Sequence, residues 1–217
     1  MRCFYNFFRI YCMAKLRLYG DIHADGKVIN DMIQSCHLFD LTIQIGDYGA
    51  GFGAERYLDS ADSEKLKVLH GNHDNPQILN KYPHDLGRFG VYEFAGKKIF
   101  FVAGAWSIDY AHRTPGLSWW ADEELSYKEA EDCLVLWEQV CGEIDLVISH
   151  DGPPNFTQLI KGIFPKETHT GRLLWEMWKI HEPPLWRIGH WHKSFSKQIG
   201  NTHFKCLDIN QQEVLEW

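Results

Sequence analysis

Five short stretches of this chain, Gly20-Asp21-Ile22-His23, Gly46-Asp47, Gly71-Asn72-His73-Asp74, Ser149-His150 and Gly189-His190-Trp191-His192, each close an apolar run that reads as a β-strand. Each also carries side chains able to ligate a metal. A fold that serves this pattern must gather five strand ends in one place. Parallel strands with right-handed helical crossovers do so, because ligand groups then collect at the carboxyl ends of the strands.

The intervening sequence fits that plan. Residues 16–19, 41–45 and 66–70 read as strands and 27–36 as the helix joining the first two. Residues 91–94 and 99–103 flank Ala95-Gly96-Lys97-Lys98 as a hairpin. Ser126 and Glu129 form a capping-box signature, after which Ala130, Cys133, Leu134, Trp137 and Val140 recur at helical spacing. Residues 145–149 are the strand that delivers His150, stopped by Asp151-Gly152-Pro153-Pro154. A second helix is expected over 171–181, burying Leu173, Leu174, Met177 and Trp178 and ending before Pro183-Pro184. Residues 185–217 read as successive strands with a turn at Gly200-Asn201. No internal repeat or low-complexity linker interrupts them.

Carboxylate, carboxamide and imidazole donors suit borderline or hard divalent cations such as Mn²⁺, Fe²⁺ or Zn²⁺, and none of the five stretches contains a cysteine. In an extended segment residues i and i+2 point to the same side. Asp21 with His23, and His190 with His192, are thus each expected to present two ligands from one strand end. Two-metal sites hold their ions about 3.5–4 Å apart and need a ligand shared by both. Asp47 is the candidate for that position.

In order and composition these motifs, D-x-H, G-D, G-N-H-D, a later H and G-H-x-H, resemble those of the calcineurin-like metallophosphoesterase superfamily. The resemblance extends from Gly20 to His192 and is anchored by about a dozen residues. It implies a four-layer α/β/β/α sandwich of two mixed β-sheets flanked by helices. It also implies that Asp21, His23, Asp47 and His192 bind one divalent metal, and Asp47, Asn72, His150 and His190 the other. Mn²⁺ is the expected ion, with Fe²⁺, Zn²⁺ and Ni²⁺ as alternatives. A hydroxide bridging the two metals would attack phosphorus in line. His73 would protonate or stabilise the leaving-group oxygen, and Asp74 would orient His73.

One departure narrows the class. The Ser/Thr protein-phosphatase branch carries G-D-x-V-D-R-G and G-N-H-E, whereas this chain has Gly46-Asp47-Tyr48-Gly49-Ala50-Gly51 and ends the third motif in Asp74. The phosphate-clamping arginine of that branch is absent from its usual place. The aromatic-rich loop from Gly104 to Trp120 offers a substitute. Arg113 would clamp phosphate and Tyr110 or a neighbouring Trp would stack on a base or aryl leaving group. Read without function, the same loop is a hydrophobic cluster fastened to the sandwich. His37, His84, His112, His169, His181 and His203 lie outside the motifs and read as structural or solvated.

A chain of 217 residues fits a single domain with a substantial core, assigned to residues 13–217. Residues 1–12, rich in Phe and Tyr and lacking a small-residue cleavage site, read as an N-terminal extension. A net charge of −7 argues against an extended nucleic-acid surface, which needs clustered Lys and Arg. Six cysteines without C-x-x-C spacing fit a reducing, cytoplasmic setting, and no apolar run is long enough to span a membrane. The expected activity is hydrolysis of a small phosphomonoester or phosphodiester, nucleotides included. The alternative from another class is a non-catalytic interaction scaffold on the same fold, which would be expected to have lost ligands or His73.

Overall fold

The computed structural model of the chain describes residues 13–162 and 168–217, so the expected extension at 1–12 lies outside the described residues. In chain order the elements are β1 (Lys15–Tyr19), α1 (Gly26–Ser35), β2 (Leu41–Gln44), β3 (Leu66–Val68), α2 (Pro76–Leu79), β4 (Phe89–Phe94), β5 (Lys97–Val102), α3 (Tyr127–Val140), β6 (Leu146–Ser149), α4 (Pro154–Lys161), α5 (His169–Ile180), β7 (Leu185–Ile188), β8 (Phe195–Ile199), β9 (Thr202–Cys206) and β10 (Gln212–Glu216).

The strands form two mixed sheets, one ordered β10-β1-β2-β3 and the other β4-β5-β6-β7-β9-β8. In the first, β1, β2 and β3 run parallel and β10 pairs antiparallel to β1. In the second, β5, β6, β7 and β9 are parallel, and β4 and β8 close the two edges antiparallel. Every stretch expected to ligate a metal leaves the carboxyl end of a parallel strand, β1, β2 and β3 on one sheet and β6 and β7 on the other.

Alternation along the strands builds the layers. Leu16 and Leu18 of β1, Leu41 and Ile43 of β2, Ile99 and Phe101 of β5, and Leu146 and Ile148 of β6 meet in one buried cluster between the sheets. The opposite faces are covered by helices. Ile29 and Met32 of α1 pack on Tyr19, Leu66 and Val68. Cys133 and Trp137 of α3, Phe156 of α4, and Leu174 and Met177 of α5 pack on Phe100, Val102, Val147 and Trp186. Three apolar spaces separate four layers, the α/β/β/α sandwich expected. Each buried Leu, Ile or Phe contributes roughly 1.5–3 kcal/mol, so these spaces set the stability of the platform beneath the ligands.

A polar tie crosses the interior. Arg187 of β7 is buried and donates from Nε to Glu213 of β10 at 2.6 Å, linking one sheet to the other. Removing one partner of such a pair strands a buried charge.

Helix starts follow the local chemistry. Ser126 and Glu129 make the reciprocal capping box expected at α3, and Asp25 caps α1 through the backbone N–H groups of Lys27 and Val28. The sequence reading did not anticipate α4. It begins at the second proline of a Pro-Pro pair read only as a strand stop, and proline at the first helical position is favourable. Among the described residues no helix is long and apolar enough to cross a membrane.

Candidate metal centre

Where the five strand ends meet, their backbone turns sharply. His23, Asp47, His190 and His192 all sit at positive φ, between 48° and 65°. This corrects the expectation that D-x-H and H-x-H work as extended segments with same-side neighbours. The ligands are instead presented by left-handed turns, a conformation that costs non-glycine residues of order 1–3 kcal/mol and persists only when its surroundings hold it. Hydrogen bonds supply that hold. The N–H groups of Ile22 and His23 both donate to the Asp47 carbonyl, at 3.0 and 2.8 Å, and Ala24 N–H donates to the Tyr48 carbonyl at 3.1 Å. The buried Gln44 carboxamide donates to the carbonyls of Gly20 and Gly46 and accepts from Gly46 N–H.

The motif glycines leave room for the ligands themselves. A Cβ at Gly71 would lie 2.1 Å from Asp47 Oδ1, and one at Gly46 would lie 2.1 Å from His150 Nδ1.

Two donor sets result. In one, Asp21, His23, Asp47 and His192 bring their ligand atoms within 4.8 Å of one another; in the other, Asp47, His150 and His190 do the same. Asp47 belongs to both. Asn72 joins the second set, its Oδ1 lying 3.2 Å from His150 Nε2 and 2.9 Å from His190 Nδ1. All seven residues expected as ligands therefore converge.

Several features make this a fit for divalent cations. Asp47 Oδ2 is buried without a hydrogen-bond partner among the described residues. Nε2 atoms of His23 and His192 face each other at 2.9 Å, a spacing that needs a shared proton or a cation. His150 Nδ1 lies 3.0 Å from the Ile45 carbonyl, which fixes the hydrogen on Nδ1 and turns the Nε2 lone pair of the neutral ring toward Asp47 and Asn72. Three oxygen donors and four imidazoles are the chemistry that Mn²⁺, Fe²⁺ and Zn²⁺ accept.

Protonation follows from burial and neighbours. Burial opposes charge on the Asp47 carboxyl, yet His150, and then His73 and His23, hold it well below the usual carboxylate range. Burial likewise opposes charge on His150, but the Asp47 carboxylate at 3.1 Å raises it to about 10. Cation binding there has to displace that proton. Burial, then His150, pushes His190 well below its ordinary value and leaves a neutral ligand. His192 is raised by its contact with Asp21 at 3.2 Å.

The centre opens into a cavity of about 400 Å³ lined by His23, Asp47, Asn72, His73, Ile108, Asp109, Arg113 and the Gly189 turn residues His190 to His192. Arg113, from the loop between β5 and α3, reaches it. Its Nε donates to Asp109 at 2.6 Å, its Nη1 donates to the Ser118 and Asn72 carbonyls, and its Nη2 donates to His73 Nε2. A guanidinium has no acceptor, so His73 Nε2 accepts here and the ring is neutral. Burial, opposed by Asp47 and reinforced by Arg113, brings His73 down to about 4. The leaving-group role expected of His73 therefore requires the guanidinium to turn away from the ring.

Asp74 does not contact the His73 ring among the described residues. Its buried oxygens accept from the backbone N–H groups of Tyr48, Gly49, Ala50 and Gly71 at 2.7–3.2 Å, stapling the second motif to the third. The expected orienting contact is replaced by this one, because the carboxylate points into the protein toward these four backbone amides. Tyr110 is not among the residues that line this cavity; it is half exposed and edge-on to Trp119 with ring centroids 5.2 Å apart, while Ile108 and Asp109 line the cavity.

Sequence reasoning also missed supporting groups. Asp151, next to His150, accepts from Gly152 N–H and from the Trp191 indole at 3.0 Å, fixing the turn between His190 and His192. Ser107 and Glu123, both buried, stand behind Asn72.

The family model of the calcineurin-like phosphoesterases matches residues 14–199. The chain belongs to that family. Its members are in general phosphoester hydrolases of this sandwich fold. Among solved structures, that of TT1561 from Thermus thermophilus is similar at 12% identity with a TM-score of 0.58, the match covering 94% of this chain and 99% of that one. A Staphylococcus aureus protein with a proposed 5'-nucleotidase activity is similar at 13% identity and a TM-score of 0.56, covering 93% of this chain but only 51% of its own length. At such identities the likeness concerns the fold. A comparison with curated proteins returned no match.

Proposed function

We propose that this metallophosphoesterase is a two-metal hydrolase acting on a small phosphomonoester or phosphodiester, nucleotides included. The observation that carries the reading is Asp47, one carboxylate common to two donor sets, with an oxygen that nothing in the described protein satisfies. Asp21, His23, Asp47 and His192 would hold one cation, and Asp47, Asn72, His150 and His190 the other. Mn²⁺ suits the mixed oxygen and imidazole set. Two cations bound there supply an activated water at neutral pH and neutralise charge developing on phosphoryl oxygens.

The protein's own groups do the rest. Arg113, held by Asp109 and two carbonyls, keeps a fixed positive charge at the cavity wall and serves as the phosphate clamp. When its Nη2 turns from His73 to a substrate oxygen, His73 is freed to hydrogen-bond the leaving group. Ile108 gives the cavity wall an apolar side for the organic part of the ester. Asp74 keeps the second and third motifs in register through its four amide contacts.

The test is hydrolysis of p-nitrophenyl phosphate and bis-p-nitrophenyl phosphate by metal-stripped protein, with and without Mn²⁺. Turnover restored by metal supports the reading, and the ratio of the two substrates sets the monoester or diester preference. Tight binding of Mn²⁺ with no turnover on either ester, or on nucleoside mono- and diesters, favours the scaffold alternative.

A further inference from the structure

Asn72 differs from every other donor in the centre, because a carboxamide is an acceptor on one side and a donor of two hydrogens on the other. Only the oxygen can serve a cation, so the side chain must be held one way round. Its Oδ1 faces His150 and His190, while Nδ2 lies 3.2 Å from the Ser107 hydroxyl. Ser107 is fully buried and Glu123 nearly so. The backbone N–H of Ser107 donates to Glu123 Oε1 at 2.9 Å, and its hydroxyl donates to Glu123 Oε2.

The direction of each bond then follows from counting hydrogens. Burial raises the Glu123 carboxyl, opposed by its two Ser107 bonds and by Arg113; in its ionised form it only accepts, so both hydrogens of Ser107 point to it. The Ser107 oxygen is left with lone pairs alone, and the only part of Asn72 that can meet them is Nδ2. The Glu123 backbone is itself held just past β5, where its carbonyl packs so closely on Gly104 that a Cβ there would lie 2.2 Å away.

We propose that Glu123 is a positioning residue of the metal centre: through Ser107 it sets the polarity of the Asn72 carboxamide, so that an oxygen and not an NH₂ group faces the buried cation position. The inference rests on the two-metal reading for its consequence but not for its geometry. A glutamine at 123 would fill the same space and make the same number of hydrogen bonds with the direction reversed. Its oxygen would accept from Ser107 N–H and its NH₂ would donate to the Ser107 oxygen. The hydroxyl hydrogen would then turn to Asn72 and draw Oδ1 toward it, leaving Nδ2 in the metal site.

Glu123→Gln is therefore the test, with Ser107→Ala beside it. Metal-stripped proteins are titrated calorimetrically with Mn²⁺. The expected result is that wild type binds two equivalents, and that both variants keep one near wild-type affinity and weaken the other about 10–100-fold. The melting temperature of stripped Glu123→Gln should stay close to wild type. Two equivalents bound by Glu123→Gln with wild-type affinities would overturn the proposal. So would equal weakening of both sites with a fall in melting temperature, since that describes a general structural role. The carboxamide is read separately in ¹⁵N-labelled, metal-free protein, its side-chain resonance assigned by its loss in Asn72→Asp. A resonance that moves in Glu123→Gln supports the relay even if wild type binds fewer than two Mn²⁺, an outcome that would count against the proposed function alone. An unmoved resonance overturns the relay.

Discussion

The two halves of the candidate centre share Asp47 and bring two imidazoles each, but they stand in different surroundings. His150 and Asn72 are fully or almost fully buried, and His190 is nine-tenths buried and held by its backbone N–H on Asp21. On the other side the His23 and His192 side chains are 24% and 42% exposed. The buried half is also braced from behind, by the Ile45 carbonyl on His150 and by Ser107 on Asn72. His192 has no comparable brace among the described residues; its ring meets Asp21 and His23 at the cavity side. One half is thus the more deeply buried and is braced from behind, although Asn72 and His190 reach the cavity. In the other the two imidazoles stand open to the cavity and to solvent. We expect the buried half to hold its ion more tightly and the exposed half to be the one that loses and regains metal.

Asp47 joins the halves, so its substitution should erase the difference between them. Asp47→Asn is expected to lower Mn²⁺ occupancy at both positions and turnover by about a thousand-fold, read by metal analysis and p-nitrophenyl phosphate hydrolysis. Retention of either half's metal would show that the two sites do not share this carboxylate. His190→Ala attacks the buried half. It should lose one equivalent of metal and also destabilise the stripped protein by about 2 kcal/mol through the cavity it leaves, measured by urea denaturation.

Arg113→Ala leaves both donor sets intact. It should raise KM for a phosphoester by about 10–100-fold with metal content unchanged, the loss expected for charge-assisted hydrogen bonds to phosphate. His192→Ala is the mildest. It should weaken only the more exposed ion and shift the stability of the stripped protein by no more than about 0.5 kcal/mol, as for other exposed positions. If His190→Ala and His192→Ala prove alike in both readouts, the contrast between the two halves is wrong.

Residue type made the donors legible in the sequence, because Asp, Asn and His at the ends of apolar runs have few other reasons to recur in this order. The layers came from the family resemblance, since residue patterning alone gives only mixed α/β: a strand buried on both faces, such as β5 with Phe100 toward the helices and Phe101 toward the other sheet, shows no polar alternation. What escaped was backbone direction and long-range pairing. Nothing in Asp21-Ile22-His23 announces a left-handed turn at His23, since the turn is held by hydrogen bonds to Asp47, in the turn after the next strand. Asp74 was assigned to its sequence neighbour His73, when its partners come from the turn after β2. Glu123 and Ser107 carry no motif at all, and their relation to Asn72 exists only once the loop between β5 and α3 folds over β3. Arg113 was singled out by its aromatic neighbours, and the geometry adds its anchors, Asp109 and the Ser118 carbonyl.

The most direct test of the centre is anomalous diffraction from crystals of the protein grown with Mn²⁺. The account predicts two peaks about 3.5–4 Å apart on either side of the Asp47 carboxylate, the one beside His150 and His190 at the higher occupancy. A single peak, or two that do not share Asp47, would contradict it.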